Sequence, residues 1–354
     1  MAGSATEFRW GIWGTGDISR KFALGLRQMS FAAPAWVLSR DESRASEFAA
    51  QIGAEQGFSD PATAFAAGAD AVYIATPAHC HAEHALCALE AGLPVLIEKP
   101  LAANSEDAKR IAAAARDSGT FAMEAMWTRF QPAIGKARQL LSEGTIGTPR
   151  LLRAEFCIAT LPGGSLHHPA GGGALRQRGI YALSLASHLL GFPEDAAAVL
   201  RRAPSGVDED VMVQLRHPGG ALSQISASLS TTAPNTLEIL GDRGALRFDG
   251  RIWRPSGLRL ASFAPRKNGD GGGRFGTFRE SALGQSMQRV LMPLIARRGL
   301  RIPSPPVGSG YGHQAKEVMV RILAGQVESP LMPLDESVAL TGLMDELLEQ
   351  GRHG

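Results

Sequence analysis

The chain has 354 residues, more than one ordinary hydrophobic core needs, and this length predicts two domains. Its 36 basic and 34 acidic side chains give a formal net charge of +2, and no long basic run is interleaved with aromatic residues. This balance argues against an electrostatic nucleic-acid surface, so we expect no nucleic-acid partner.

Three further features indicate the compartment. Cys80, Cys87 and Cys157 are too few and too scattered for a disulfide framework, which fits a reducing cytoplasm. Residues 1–7 lack the basic and apolar regions of an export signal, and no apolar run approaches bilayer length. We therefore expect a soluble cytoplasmic protein without a membrane partner.

A glycine turn follows the first predicted strand. Residues 9–13 are largely apolar, and from residue 21 apolar side chains recur at helical intervals. Between them, the glycines allow a tight turn beside a phosphate, which the first amides and the dipole of the helix attract. Ser19 replaces the usual third Gly or Ala but is small enough for close packing. The candidate cofactor-binding residues here are Gly14, Thr15, Gly16, Asp17 and Ile18.

The second predicted strand, residues 35–40, ends in Ser39 and Arg40, where a dinucleotide-binding fold meets the adenosine ribose. An acid there favours NAD, whereas a hydroxyl and a guanidinium suit a ribose phosphate. We therefore expect NADP(H) as the preferred cofactor, with NAD(H) left open. In the alternative interpretation Arg40 is a solvated strand-end residue. Asp41 either accepts from a ribose hydroxyl or, as we favour, caps a helix over 42–52.

Strands and helices then alternate as far as residue 125. The pattern predicts helices over 61–67, 81–91 and 104–118, and strands over 71–76, 95–97 and 121–123. This alternation is typical of an α/β fold with a doubly wound parallel sheet of the Rossmann type, which we assign to residues 1–125.

The buried strand 95–97 ends abruptly in Glu98, Lys99 and Pro100. Pro100 ends the strand because it has no amide proton to donate. Ligands bind at this edge of an open parallel sheet, so Lys99 is predicted to lie beside a substrate oxygen. The alternative is a solvated lysine in an ordinary turn.

Beyond Gly144 the pattern changes to paired strands. It predicts a strand over 150–159, a glycine-rich loop over 161–173, a helix over 181–190, and hairpins pairing 211–216 with 221–229 and 237–240 with 245–248. These features predict an α+β domain over residues 126–354 with a large, mostly antiparallel open sheet. One face of such a sheet needs cover, which predicts a homodimer or homotetramer formed through it.

Five motifs occur along the chain in this order: Gly14-Thr15-Gly16, Ala75-Thr76-Pro77 followed by His81, Glu98-Lys99-Pro100, residues 123–130, and residues 171–175. Together they resemble the Gfo/Idh/MocA oxidoreductase family. Within the family, the chain is most similar to the branch of dihydrodiol dehydrogenases and NADP-dependent D-xylose dehydrogenases. The resemblance implies hydride transfer between a nicotinamide cofactor and a small-molecule substrate, namely a sugar, a diol or a related hydroxy or carbonyl compound.

The resemblance also implies roles for single residues. Lys99 matches the family's active-site lysine, which donates to the substrate oxygen. Pro100 matches a proline that often follows a cis bond. Trp127 and Arg129 are expected to line the pocket, although Trp127 is alternatively an interdomain packing residue. The implied cofactor contacts beyond the glycine turn are Ser39, Arg40, Thr76, Pro77, His81, Glu98 and Lys99, and the candidate substrate contacts are Gln177, Trp127, Arg129 and His168.

Gln177 is the main departure from the family, whose members usually carry an acid there and a Tyr or His four residues later, here Tyr181. A spacing of four places both side chains on one face of a helix. Glutamine cannot take a proton, so proton transfer is assigned to Tyr181 with Lys99. The departure also leaves open a cofactor-binding sensor or pseudoenzyme with weak or no turnover. A dedicated keto-sugar reductase is a further alternative.

Other segments carry weaker expectations. His79, Cys80, His81, Glu83 and His84 look like metal ligands, but relatives bind cofactor there without metal, so we expect none. Residues 266–274 are predicted to be a mobile loop. Residues 279–301 resemble an insertion that forms an active-site lid or a subunit contact, with a membrane contact a distant third because the piece is short and interrupted by Pro293.

Overall fold

The computed structural model describes residues 7–29, 31–263 and 299–351. The mobile loop predicted over 266–274 lies outside the described residues. So does the insertion predicted over 279–301, apart from its last three residues.

The first domain is built on a six-stranded parallel sheet. Its strands are β1 (Phe8–Trp13), β2 (Ala32–Leu38), β3 (Gln56–Phe58), β4 (Ala71–Ile74), β5 (Val95–Ile97) and β6 (Ala122–Glu124). Their spatial order is β3-β2-β1-β4-β5-β6, and every neighbouring pair is parallel. The order reverses between β1 and β4, so a crevice opens at their carboxyl ends. The predicted doubly wound sheet is confirmed.

Helices cover both faces of this sheet, which is why β4 and β5 are apolar and buried throughout. They are α1 (Asp17–Arg27), α2 (Glu42–Ile52), α3 (Pro61–Ala66), α4 (His81–Glu90) and α5 (Ser105–Asp117), with α6 (Pro132–Ser142) following β6. Asp41 caps α2, since its carboxylate accepts from the amide of Arg44 at 2.9 Å. The predicted cap is therefore present.

The second domain is built on an eight-stranded sheet. Its strands are β7 (Pro149–Cys157), β8 (Asp195–Arg202), β9 (Asp208–Arg216), β10 (Leu222–Ser228), β11 (Leu237–Gly241), β12 (Gly244–Arg251), β13 (Arg254–Ser262) and β14 (Leu300–Pro303). The order is β14-β13-β12-β11-β7-β10-β9-β8, and only the β7–β10 pair is parallel. Both predicted hairpins are present, as β9–β10 and β11–β12.

Helix α7 (Ile180–Leu190) covers the inner face of the second sheet, directly after a π-helical turn at Leu175–Gly179. The C-terminal helices α8 (Gly312–Leu323) and α9 (Leu334–Gln350) pack back on the first domain, α8 against α1 and α9 against α5. Within the described ranges, no helix is long and apolar enough to cross a membrane.

Candidate active site

A cavity of about 1110 Å³ lies between the two domains, at the carboxyl ends of the parallel strands. The β1–α1 turn, the end of β2 and the β4–α4 turn line one side, and side chains of the second domain close the other. Every residue predicted to bind cofactor lines this cavity: Gly14, Thr15, Gly16, Asp17, Ile18, Ser39, Arg40, Thr76, Pro77, His81, Glu98 and Lys99.

The glycine turn leaves room for a phosphate. Gly14 has φ +122°, and a Cβ there would lie 2.6 Å from the carbonyl oxygen of Ala75, so only glycine allows this tight turn. A Cβ on Gly16 would have no described atom within 4 Å, so the space beside this residue is open. Gly16 caps α1 without a side-chain hydrogen bond, which leaves the first amides of the helix open to a ligand. An anion is therefore favoured at this end of the cavity.

Two arginines flank the end of β2. Arg40 and Arg44 both line the cavity and are exposed, Arg40 just before the Asp41 cap and Arg44 in the first turn of α2. Because Asp41 is occupied by capping, it is less suited to a ribose hydroxyl. Arg44 was not predicted, although it lies in the first turn of the predicted helix directly after Arg40.

Two histidines organise the β4–α4 turn. His81 is buried, and its ring nitrogens lie 2.9 Å from the carbonyl oxygens of Pro100 and Thr76, so it joins the ends of β5 and β4. Burial lowers the pKa of His81 to about 4. His84 Nδ1 lies 2.9 Å from the Thr76 hydroxyl, and its ring stacks on Trp13 with centroids 4.1 Å apart. Trp13 thus offers a flat aromatic wall beside the glycine turn.

Lys99 stands at the opposite end of the cavity. Its Nζ donates to Oε1 of Gln177 at 3.1 Å and to the carbonyl oxygen of the same residue at 3.0 Å. Burial lowers the pKa of Lys99, and the neighbouring carboxyl groups of Glu98 and Glu124 oppose that effect. The peptide bond from Lys99 to Pro100 is cis.

Gln177 and Tyr181 come to the same end from the second domain. Gln177 Nε2 donates to the carbonyl oxygen of Gly171 at 2.7 Å, which fixes the amide so that its oxygen faces Lys99. The Lys99 amine lies 5.2 Å from the centre of the Tyr181 ring. Burial raises the pKa of Tyr181, so its hydroxyl stays protonated and can donate.

Glu98 stands behind Lys99. Its Oε1 accepts from the Tyr73 hydroxyl at 2.5 Å and its Oε2 accepts from the Lys99 amide at 3.1 Å. Burial raises the pKa of Glu98. This carboxyl group therefore fixes the backbone at the end of β5 as well as facing the cavity.

Arg129 lies outside the cavity lining, so the prediction that it contacts the substrate is wrong. It is 3% exposed, does not line the cavity, and pairs with Glu336 at 2.6 Å. It also donates to the Ser184 hydroxyl at 2.6 Å and to the Leu331 carbonyl oxygen at 3.1 Å. A buried guanidinium needs all its donors satisfied, so Arg129 ties the turn after β6 to α7 and α9.

His168 also lies outside the cavity lining. It is exposed and stacks on His79, which does line the cavity, with ring centroids 5.4 Å apart. Trp127 does line the cavity, where it stacks on Tyr311 with centroids 4.3 Å apart and an interplanar angle of 14°. Of the predicted substrate contacts, the structure therefore brings Gln177 to Lys99, places Trp127 in the cavity lining, and leaves Arg129 and His168 out of it.

An aromatic wall that was not predicted faces Lys99. Phe156 of β7 stacks on Trp253, with centroids 4.3 Å apart, and meets Tyr181 at 5.2 Å. All three side chains line the cavity, together with Tyr311. Sequence alternation shows that Phe156 points inward but does not distinguish a cavity wall from a packed core.

Comparison with known families agrees with this architecture. Residues 8–125 match an oxidoreductase family with an NAD-binding Rossmann fold, and residues 134–247 match the Gfo/Idh/MocA C-terminal domain. The trans-1,2-dihydrobenzene-1,2-diol dehydrogenase of Bos taurus is 33% identical over 360 residues, covering 96% of this chain and 95% of that protein. The chain belongs to the Gfo/Idh/MocA oxidoreductase family. The predicted resemblance is confirmed, and this family member is an NAD(P)-binding oxidoreductase.

Solved structures show the same Gfo/Idh/MocA fold. A levoglucosan dehydrogenase in complex with NADH and levoglucosan aligns with a TM-score of 0.79 at 23% identity, covering 98% of both chains. A 3-ketoreductase from Actinomadura kijaniata, in complex with TDP-benzene and NADP, aligns with a TM-score of 0.76 at 24% identity, also over 98% of both. At these identities the likeness concerns the fold alone.

Proposed function

We propose that this protein is an NADP(H)-dependent dehydrogenase or reductase that moves a hydride between the nicotinamide and a sugar, a diol or a related hydroxy or carbonyl compound. The observation that carries the proposal is the convergence of Lys99, Gln177 and Tyr181 at one end of the cavity, opposite a glycine turn that fits a phosphate. The bound nicotinamide supplies or accepts the hydride.

The residues fit a dinucleotide. The tight turn at Gly14, the open space beside Gly16 and the open amides of α1 suit a pyrophosphate, and Trp13 offers an aromatic face at the same end. Arg40 and Arg44 supply two cations for a ribose phosphate, which supports NADP(H) over NAD(H). Solved relatives contain either NADP or NADH, so the preference rests on these two arginines.

Lys99 handles the proton. During carbonyl reduction its ammonium group donates a proton to the substrate oxygen as the hydride reaches the carbon, and during alcohol oxidation the neutral amine takes that proton back. Because burial lowers its pKa toward physiological pH, both the ammonium form and the neutral amine are easier to reach. Tyr181 keeps its own proton and donates a hydrogen bond to the same oxygen, while Gln177 orients the amine.

The aromatic wall supports a cyclic substrate with an apolar face. Phe156 and Trp253 of this wall, and Trp127 elsewhere in the cavity lining, offer flat surfaces to the C–H face of a ring, while Lys99 and Gln177 offer hydrogen bonds at its edge. The relative from Bos taurus is named for a cyclic diol, which agrees with this wall. A dedicated keto-sugar reductase would use the same groups in one direction.

The outer face of the second sheet supports a homodimer or homotetramer. Val199 and Met212 pair across β8 and β9 on that face and are 78% and 66% exposed. Light scattering of Met212→Arg tests this, because a buried cation would dissociate an assembly formed there. Leu323→Arg, at an equally exposed leucine of α8, is the control.

We also place the protein in the cytoplasm, in keeping with its three free cysteines.

The test of function begins with cofactor binding. Fluorescence titration with NADPH, NADP, NADH and NAD is followed by absorbance assays on a panel of sugars, diols and ketones. We expect tighter binding of NADPH and turnover on at least one panel member. Lys99→Met should retain cofactor binding and lose about 10²-fold or more in kcat, whereas the exposed Lys316→Met should not. Binding without turnover across the panel would favour a cofactor-binding sensor.

A further inference from the structure

Glu124 is a buried carboxyl group that the proposed chemistry does not use. It ends β6 in register with Ile97 of β5 and is 1% exposed. Its Oε1 accepts from the amide of Leu101 at 3.1 Å. Leu101 lies two residues beyond Lys99, so this hydrogen bond fixes the segment that carries the lysine.

The second oxygen of Glu124 points away from that segment. Oε2 has no hydrogen-bond partner among the residues that the structure describes, and neither has the hydroxyl of Ser337 on α9, although the two groups face each other. Because only one of its oxygens accepts a hydrogen bond, the charged form of this buried carboxyl group is weakly stabilised.

We propose that Glu124 is a positioning residue for Lys99, whose carboxylate holds the Leu101 amide and whose negative charge favours the protonated lysine. The proposal rests on the function proposed above, because it assumes that Lys99 exchanges a proton. It adds a group that touches neither substrate nor cofactor.

Charged groups from three elements face this carboxyl group. Glu98 and Lys99 come from the end of β5, Arg129 from the turn after β6, and Glu336 of α9 is paired with that arginine. Burial raises the pKa of Glu124 to about 7, and the nearby hydroxyl dipole of Ser337 and the charge of Arg129 oppose this rise. The charge on Glu124 therefore changes within the range in which an enzyme works.

Glu124→Gln separates charge from shape. The amide oxygen of glutamine can still accept from Leu101, but the negative charge is lost. The pKa of Lys99 should then fall by roughly half a unit or more. The acidic limb of kcat/KM for alcohol oxidation, which reports the free amine, should move to lower pH by the same amount. The control is Glu317→Gln. Glu317 lies on α8, outside the cavity lining, and its carboxylate accepts hydrogen bonds from Arg321 and Ser329.

The lysine is titrated without relying on turnover. Competitive acetylation between about pH 6 and about pH 10, with mass-spectrometric detection at Lys99, reports its pKa in wild type and in Glu124→Gln. If the two curves coincide, the proposal is overturned. If the curves differ but wild type has no turnover on the substrate panel, the proposed function fails and the coupling between the two residues stands.

Glu124→Asp provides a second route if the glutamine variant does not fold. Aspartate keeps the charge but withdraws the oxygen from Leu101, so the pKa of Lys99 should stay near its wild-type value. In the same variant kcat should fall about tenfold with KM little changed, since Lys99 is displaced. A wild-type kcat in Glu124→Asp would overturn the positioning role.

Discussion

The amine of Lys99 lies 3.1 Å from Oε1 of Gln177 and 3.0 Å from the carbonyl oxygen of the same residue. Both acceptors are neutral, so they orient the amine without adding the negative charge that would raise its pKa. A carboxylate at position 177 would orient the amine equally well and also favour its protonated form. The glutamine therefore helps to keep Lys99 available as a base.

Gln177→Glu tests this relationship. The new carboxylate should raise the pKa of Lys99 by about one unit or more. In the alcohol-oxidation direction, the limb of kcat/KM that reports the free amine should move to higher pH by the same amount. The measurement is the pH dependence of kcat/KM with a fixed cofactor.

Gln326→Glu is the matched control, because that amide oxygen also accepts from a cation, Arg321, at 3.0 Å but lies outside the cavity. Its pH profile should overlay that of wild type. An unchanged profile in Gln177→Glu would show that the amine does not titrate in the measured limb.

Arg44→Ala tests the cofactor preference. The guanidinium lines the cavity beside Arg40, so its removal should weaken NADPH binding about tenfold. NADH lacks the ribose phosphate and should bind as before. The measurement is the ratio of the two Kd values, at two salt concentrations, because a contact between exposed charges weakens as salt rises.

Arg110→Ala is the control for Arg44→Ala, since Arg110 is exposed on α5 and pairs with Asp107 away from the cavity. Equal loss of NADPH and NADH affinity in Arg44→Ala would indicate a general effect on the cavity. No loss in either would remove Arg44 from the site.

Local pattern explains what the sequence predicted well. Gly14 and Lys99 follow short buried strands, and parallel strands bring such strand ends to one edge. Gln177 and Tyr181 share a face because their spacing is helical, although the first of them lies in a π-helical turn. Each of these placements depends on only a few neighbouring residues, so it can be predicted from one sequence.

Long-range pairing explains what the sequence did not predict. Arg129 forms its ion pair with Glu336, which lies 207 positions further along the chain, and no local sequence pattern indicates such a partner. The alanines of β8 favour a helix, and only pairing with β9 makes the segment a strand. Trp253 lies in the turn between β12 and β13, and only the closed sheet brings it onto Phe156.

Arg129→Met tests whether Arg129 holds the fold together. Its side chain is fully buried and the side chain of Glu336 is 23% exposed, so removing the cation leaves a partly buried carboxylate without its partner. The free energy of unfolding should fall by about 3 kcal/mol. KM for substrate should stay near wild type in the folded fraction.

The double variant Arg129→Met with Glu336→Gln should recover part of that loss, because it removes the stranded charge. Urea unfolding of the single and double variants measures both terms. A large rise in KM without a change in stability would return Arg129 to the substrate pocket.

His81 predicts a pH dependence of stability. It is 1% exposed, and burial lowers its pKa to about 4. An unfolded histidine has a pKa of about 6.5, so on acidification the unfolded state binds a proton before the folded state does. The contribution of His81 to stability is therefore intact above about pH 6.5 and is lost as the pH falls toward about 4, by about 3 kcal/mol in total.

His81→Gln removes this titration while keeping a side chain that can donate to the carbonyl oxygen of Thr76 or Pro100. Its unfolding free energy at neutral pH should be lower than that of wild type, because glutamine does not fill the space of the buried ring. Between neutral pH and about pH 4.5, however, it should lose less stability than wild type does. His168→Gln, at an exposed histidine of the glycine loop, should leave the wild-type slope unchanged. If the unfolding free energies of wild type and His81→Gln fall in parallel, His81 does not remain neutral in the folded state, and its two carbonyl contacts would instead be those of a protonated ring that donates to both.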